Sequence, residues 1–238
     1  MCRGLYAIVA ALACSSAALA STITYIGSGT STGGDTENAS ALVVTGAGTI
    51  TVTLNDLLSN PHNVAQNISD LFFTLSNGAT SGTLSSSSGS ELTVHSDDTF
   101  TVGSSVSTGW TLTSMGGSLL LEVLGTAEAP AHTIIGASSN GSFSGGTYSN
   151  ANNSITGNGP HNPFLESGAT FTLSVPGVTA NTTITAASFS FGTEAGDTLV
   201  GTPAAVPEPL TMFLVGAGML AAGMLRIRGR ARHPGPAG

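Results

Sequence analysis

Lysine does not occur in this chain, and its five basic residues, Arg3, Arg226, Arg228, Arg230 and Arg232, all lie outside residues 21–204. Without lysine there is neither a Walker A phosphate loop nor a Schiff-base mechanism. Twelve of the thirteen acidic residues, all but Glu208, lie within 21–204; with no base against them, that stretch carries a formal charge of −12. Such a surface neither neutralises phosphates nor releases their counterions, so nucleic acid is excluded as a partner, and acidic polymers require a bridging divalent cation. Cys2 and Cys14 both fall in the first twenty residues. The remainder therefore has no thiol for a disulfide, a redox pair, a nucleophile or a zinc site. Aromatic residues are scarce. A sugar-stacking platform would have to draw on Trp110, Tyr25 and Tyr148, beyond phenylalanines that mostly alternate into a core. Residues 21–204 also lack any sustained 3.6-residue apolar period with caps, apart from a short turn expected near 55–60.

What is present begins with the two ends. Arg3 supplies a positive charge, residues 5–13 an apolar run, and Ala18-Leu19-Ala20 a small-x-small site before Ser21. These are the three parts of a secretory signal peptide spanning 1–20, with Ala18, Ala20 and Ser21 at the signal peptidase site. A lipoprotein-type cut before Cys14 is disfavoured because Ala11 stands where such sites take a larger aliphatic residue. At the other end, Pro207-Glu208-Pro209 precedes an apolar stretch over 210–225 and then Arg226, Arg228, Arg230 and Arg232. Sixteen helical residues at about 1.5 Å each span roughly 24 Å, a marginal membrane crossing that Ile227 and snorkelling arginines extend. The positive-inside rule keeps the arginines cytoplasmic and leaves residues 21–204 outside, the topology that the signal peptide also gives.

This ordered set, covering about residues 205–232, closely resembles the PEP-CTERM sorting signal of Gram-negative bacteria. The resemblance implies an exosortase, a membrane-embedded cysteine transpeptidase-like protease, as the sorting partner in an organism that makes exopolysaccharide. It makes Pro207, Glu208 and Pro209 the recognition residues and Arg226, Arg228 and Arg230 the stop and orientation signal. Residues 233–238 form a tail longer than the usual ending. The alternative on the residues alone is a plain tail anchor, in which proline ends the preceding chain and arginine fixes the helix.

Between the ends, alternation with period two recurs. Ile50, Val52 and Leu54 alternate with Thr49, Thr51 and Thr53, and Phe171, Leu173 and Val175 with Thr170, Thr172 and Ser174. One face of such a segment is buried and the other wet, which makes it a strand. Segments 71–75, 92–94, 99–102, 110–112, 119–124 and 182–191 read the same way. In the last, the apolar face shifts between Ile184 and Phe189, which a bulge near Ala186-Ala187 reconciles. The Gly-, Ser- and Asn-rich stretches 76–90 and 138–163 are expected to be long surface loops or insertions carrying little core, the second alternatively a boundary between two β units. The expected architecture is an all-β antiparallel sandwich over 21–204, flanked by the signal peptide and a C-terminal transmembrane helix.

Chemistry-bearing patterns are sparse. Gly29-Thr30-Ser31-Thr32-Gly33 matches the nucleophile-elbow pattern, but with 32 glycines in the chain it is expected by chance, and no helix follows it. His62, His95, His132 and His161 are scattered singly, without metal-ligand spacing. His95-Ser96-Asp97-Asp98 unites a base with carboxylates, yet reads first as a polar turn. For calcium there is no Asp-x-Asp-x-Asp-Gly loop; Asp35, Glu37, Asp97 and Asp98 are candidates by composition only. Trp110 is expected in the core. No catalytic residue, metal or cofactor is assigned. The expected function is a non-enzymatic structural or adhesive surface protein associated with exopolysaccharide or biofilm matrix. Its partners are signal peptidase and the export machinery, an exosortase-like enzyme, the membrane through the C-terminal helix, and exopolysaccharide. The alternatives are a carbohydrate- or calcium-binding module, or a secreted hydrolase for which Ser31 and His95 would be the residues to replace.

Overall fold

The computed structural model describes residues 20–194 and 196–204. All regular structure in them is β, apart from one 3-10 turn at Val64–Gln66. The strands are β1 (Ser21–Thr30), β2 (Thr36–Thr45), β3 (Thr49–Asp56), β4 (Ile68–Leu75), β5 (Thr83–Val94), β6 (Phe100–Val106) and β7 (Thr111–Met115). They continue as β8 (Ser118–Glu122), β9 (Ile134–Ile135), β10 (Phe164–Ser174), β11 (Ile184–Phe191), β12 (Thr198–Val200) and β13 (Thr202–Pro203).

All thirteen belong to one mixed sheet. β1, β2, β3 and β10 pair antiparallel in that order, and β5 and β6 continue outward from β10. β11, β4, β8 and β7 make a second antiparallel run. Two short links join these runs. At one side β9 pairs parallel with β10 and antiparallel with β4. At the other, β12 pairs with β11 and β13 with β1, with Gly201 alone between them. The Gly201 amide still donates to the Ala187 carbonyl at 2.9 Å, so the strand path returns to its start. The parallel contact departs from the purely antiparallel arrangement expected. Two residues, Ile134 and Ile135, are too few to show alternation in a sequence, and only the fold lays them between β4 and β10.

Alternation sets the core. Along β3, Ile50, Val52 and Leu54 are buried between half-exposed threonines, and β10 buries Phe171 and Leu173 in the same way. These side chains join Leu71, Phe73, Leu121, Phe189 and Phe191 in one cluster, with Trp110 tilted against Phe171 at a centroid distance of 5.1 Å. The irregularity expected near Ala186-Ala187 occurs as a register shift between Ile184 and Ala186 against β4.

Three local expectations need correction. The turn placed at 55–60 occurs instead at Val64–Gln66, because Asn55 and Asp56 still pair within β3. The serine run read as a loop is largely strand: from Thr83 it is laddered against β10, and from Gly89 against β6 as well. Ser88 Oγ lies 2.7 Å from Ser105 Oγ, so short hydroxyls bridge neighbouring strands where apolar alternation is missing. The stretch 138–163 holds no strand, but it carries core: Tyr148 and Ile155 are fully buried in a second cluster with Leu92, Val94, Ile135 and Phe164. The described residues form one compact unit ending at Ala204. None of them forms a helix long and apolar enough to cross a membrane. The expected transmembrane segment at 210–225 lies outside the described residues.

Candidate functional site

Period two carries carboxylates inward as readily as methyl groups. On β2 the buried positions are Glu37, Ala39, Ala41, Val43 and Thr45, so Glu37 is the end of the apolar stripe. On β3 the stripe Ile50, Val52, Leu54 ends in Asp56, and Asp56 is the register partner of Ala39. Two acids thus enter the interior at the same end of adjacent strands. Asp35, in the turn between β1 and β2, and Asp197, just before β12, arrive beside them. One carboxylate oxygen from each of Asp35, Glu37 and Asp197 lies within 4.8 Å of the others.

The surroundings of these acids are polar but incomplete. Ser31 Oγ donates to Glu37 Oε1 at 3.4 Å, whereas Glu37 Oε2 is buried and has no hydrogen-bond partner. Asp197 Oδ1 accepts from the Gly33 amide at 2.7 Å and from Thr32 Oγ1 at 3.4 Å. A Cβ at Gly33 would push the Asp197 carboxylate from its place. Asn63 Nδ2 donates to Asp35 Oδ1 at 3.4 Å, and Asn63 Oδ1 is buried without a partner. Burial, with Asp56, Asp197 and Asp35 nearby, pushes the Glu37 carboxyl up to about 9. Asp56 is raised well above the ordinary carboxylate range by burial, against hydrogen bonds from the Leu58 and Gly136 amides. A cleft of about 470 Å³ opens next to the cluster, lined by Thr32, Asp35, Val64, Thr193, Glu194 and Asp197 among others.

The other candidate residues do not converge. Ser31 is buried and its hydroxyl serves Glu37 and the Asp35 carbonyl; no histidine hydrogen-bonds to it, and strand β2 follows where an elbow has a helix. His95 Nε2 lies 2.8 Å from Thr101 Oγ1 across the β5–β6 turn. In the same turn Asp97 Oδ1 accepts from the amide and hydroxyl of Thr99. His62 and His161 engage backbone carbonyls of Asn150 and Ser154. His132 is buried, with Nδ1 at 2.9 Å from the Thr108 carbonyl and Nε2 at 3.4 Å from Glu91.

The aromatic residues considered for a sugar platform are all interior. Trp110 donates from Nε1 to the His132 carbonyl at 2.9 Å, Tyr25 from its hydroxyl to Ile184 O, and Tyr148 to Gly136 O. No aromatic side chain is among the exposed large hydrophobic residues of the described region.

Of the residues expected to take part in processing, Ala20 is exposed and Ser21 opens β1, its amide bonded to the Ala180 carbonyl at 3.0 Å. Ala18, Pro207, Glu208, Pro209, Arg226, Arg228 and Arg230 lie outside the described residues. Asp35 and Glu37, singled out by composition, belong to the cluster; Asp97 and Asp98 do not. Sequence reasoning missed Asp197 and Asp56. Extending the alternation of β3 by one step finds Asp56, whereas nothing local marks Asp197. Comparison with protein-family models, curated proteins and solved structures gives no match to this chain.

Proposed function

We propose that this chain is an exported structural or adhesive protein of a Gram-negative cell surface or extracellular matrix, sorted through its PEP-CTERM-like tail and associated with exopolysaccharide. The carrying observation is the ordered tail: Pro207-Glu208-Pro209, the apolar segment 210–225 and the arginine cluster, opposite an N-terminal signal peptide. On this reading 1–20 is removed, the 210–225 helix crosses the inner membrane as an intermediate, and the body is a β-sandwich released or displayed outside.

The body suits double processing. Its first strand begins at Ser21 and its last ends at Pro203, and these two strands pair with each other, Tyr25 opposite Pro203. Cuts before Ser21 and near Pro207 would remove no residue of the sheet.

The test is the intact mass of the protein recovered from each cell fraction. The expected species begins at Ser21, lacks the residues beyond the Pro207 region and is found outside the inner membrane. A full-length tail retained in the inner membrane would replace sorting with a simple anchor.

A further inference from the structure

Three carboxylates whose oxygens lie within 4.8 Å of one another, in a body without a single lysine or arginine, have no protein cation to balance them. Protonation answers the charge but not the hydrogen bonding. Glu37 is 1% exposed and its Oε2 is buried without a partner. Were that oxygen protonated, its O–H would be a buried donor with no acceptor, which costs about as much as an unmatched acceptor. A cation in front of the oxygen removes both difficulties. Asn63 Nδ2, 3.4 Å from Asp35 Oδ1, adds a polar side chain at the edge of the cluster.

The donor set is all hard oxygen, which suits calcium or magnesium over a transition metal. Calcium takes an irregular shell of about six to eight oxygens, which suits ligands assembled from a turn, a strand and a distant loop, whereas magnesium demands a near-ideal octahedron at shorter distances. The adjoining cleft gives an entry path and room for the waters that complete coordination.

We propose that Asp35, Glu37 and Asp197 form a calcium site that ties the β1–β2 turn to the chain entering β12. The inference goes beyond the sorting proposal and does not depend on it. Its structural consequence is a clamp: Asp35 and Asp197 are joined through one ion, at the point where Thr32 Oγ1 already donates to the Gly196 carbonyl at 2.9 Å. Calcium binding then stabilises the folded body by mass action, because the unfolded chain does not assemble the three ligands.

The test uses the purified protein stripped with chelator, titrated with calcium chloride in a calorimeter and followed by thermal unfolding. One ion per chain is expected, with a dissociation constant below about 10⁻³ M, the weak end for extracellular calcium modules, and a melting temperature that rises with calcium. Glu37→Gln, which keeps the shape of the side chain and removes its capacity to carry the negative charge that holds the ion, should weaken binding at least tenfold. Asp197→Asn, at a half-exposed position, should also weaken binding at least tenfold. Asp97→Asn, in the β5–β6 turn, should bind as wild type. No heat and no melting shift up to about 10 mM calcium, ten times that weak limit, would overturn the site. So would calcium binding retained in both Glu37→Gln and Asp197→Asn. Magnesium binding as tightly as calcium would overturn the choice of ion.

Discussion

Asp70 and Glu122 face each other across β4 and β8, two acids in direct register. Asp70 is buried, and burial together with Glu122 raises its carboxyl from 3.8 to about 7, against hydrogen bonds from Ser69 and the Val123 amide. The folded state therefore holds a proton that the unfolded state releases between about pH 4 and pH 7. Stability from this group is full below the unfolded value and is lost as pH rises to the folded one. The loss is on the order of 4 kcal/mol at most, less where water reaches the pair. In calcium-free buffer, urea midpoints should thus fall between about pH 4.5 and pH 7.5, and Asp70→Asn should flatten that fall. An unchanged slope in the variant would show that Asp70 is ionised at little cost. The Glu37 and Asp56 positions were legible in the sequence to the extent that alternation was followed past the last apolar residue. Asp197 was not, because it meets Gly33 across 164 positions of sequence, a distance no local pattern reports.

At the scale of elements, strands with threonine on one face and branched or aromatic side chains on the other could be read directly, as β3 and β10 show. β5 could not. Its first eight residues, TLSSSSGS, have the composition of a linker, and their strand state comes from pairing with β10, joined by β6 only at Gly89 and Ser90. The closure at β1, β11 and β12–β13 was equally invisible, since β12 and β13 have three and two residues. It depends on close packing around Phe189. A Cβ placed on Gly27 would sit 2.8 Å from Phe189 Cδ2, and one on Gly201 3.0 Å from Phe189 Cε2. Valine favours strands by propensity, yet Gly27→Val should destabilise the body by about 1–3 kcal/mol through overpacking. Ser28→Val, on the exposed face of the same strand, should stay within about 0.5 kcal/mol of wild type. Chemical denaturation of the two variants separates the clash from any effect of β propensity.

Over the whole molecule the dominant fact is charge. Within residues 21–204, twelve acids and no lysine or arginine make long-range interactions among charged side chains at neutral pH repulsive, apart from whatever charge the histidines carry. Raising monovalent salt from about 10 mM to about 150 mM shortens the screening length from roughly 30 Å to roughly 8 Å. The melting temperature of the calcium-free protein should rise over that range and level off beyond it. A flat or falling response would mean that repulsion is already relieved by bound ions. The calcium clamp and the salt response are linked, because an occupied site removes two charges from the most crowded acidic region and should shrink the salt effect.

The pairing of β1 with β13 also gives the body a front and a back. The chain departs at Ala204, whose amide bonds the Thr24 carbonyl, close to where β1 begins. The acidic cluster lies beyond the other end of β1, roughly 20 Å further along at about 3.3 Å per residue. Ala204 and the acidic cluster are thus separated by most of the length of one strand, so a label joined after Ala204 should leave calcium binding unchanged.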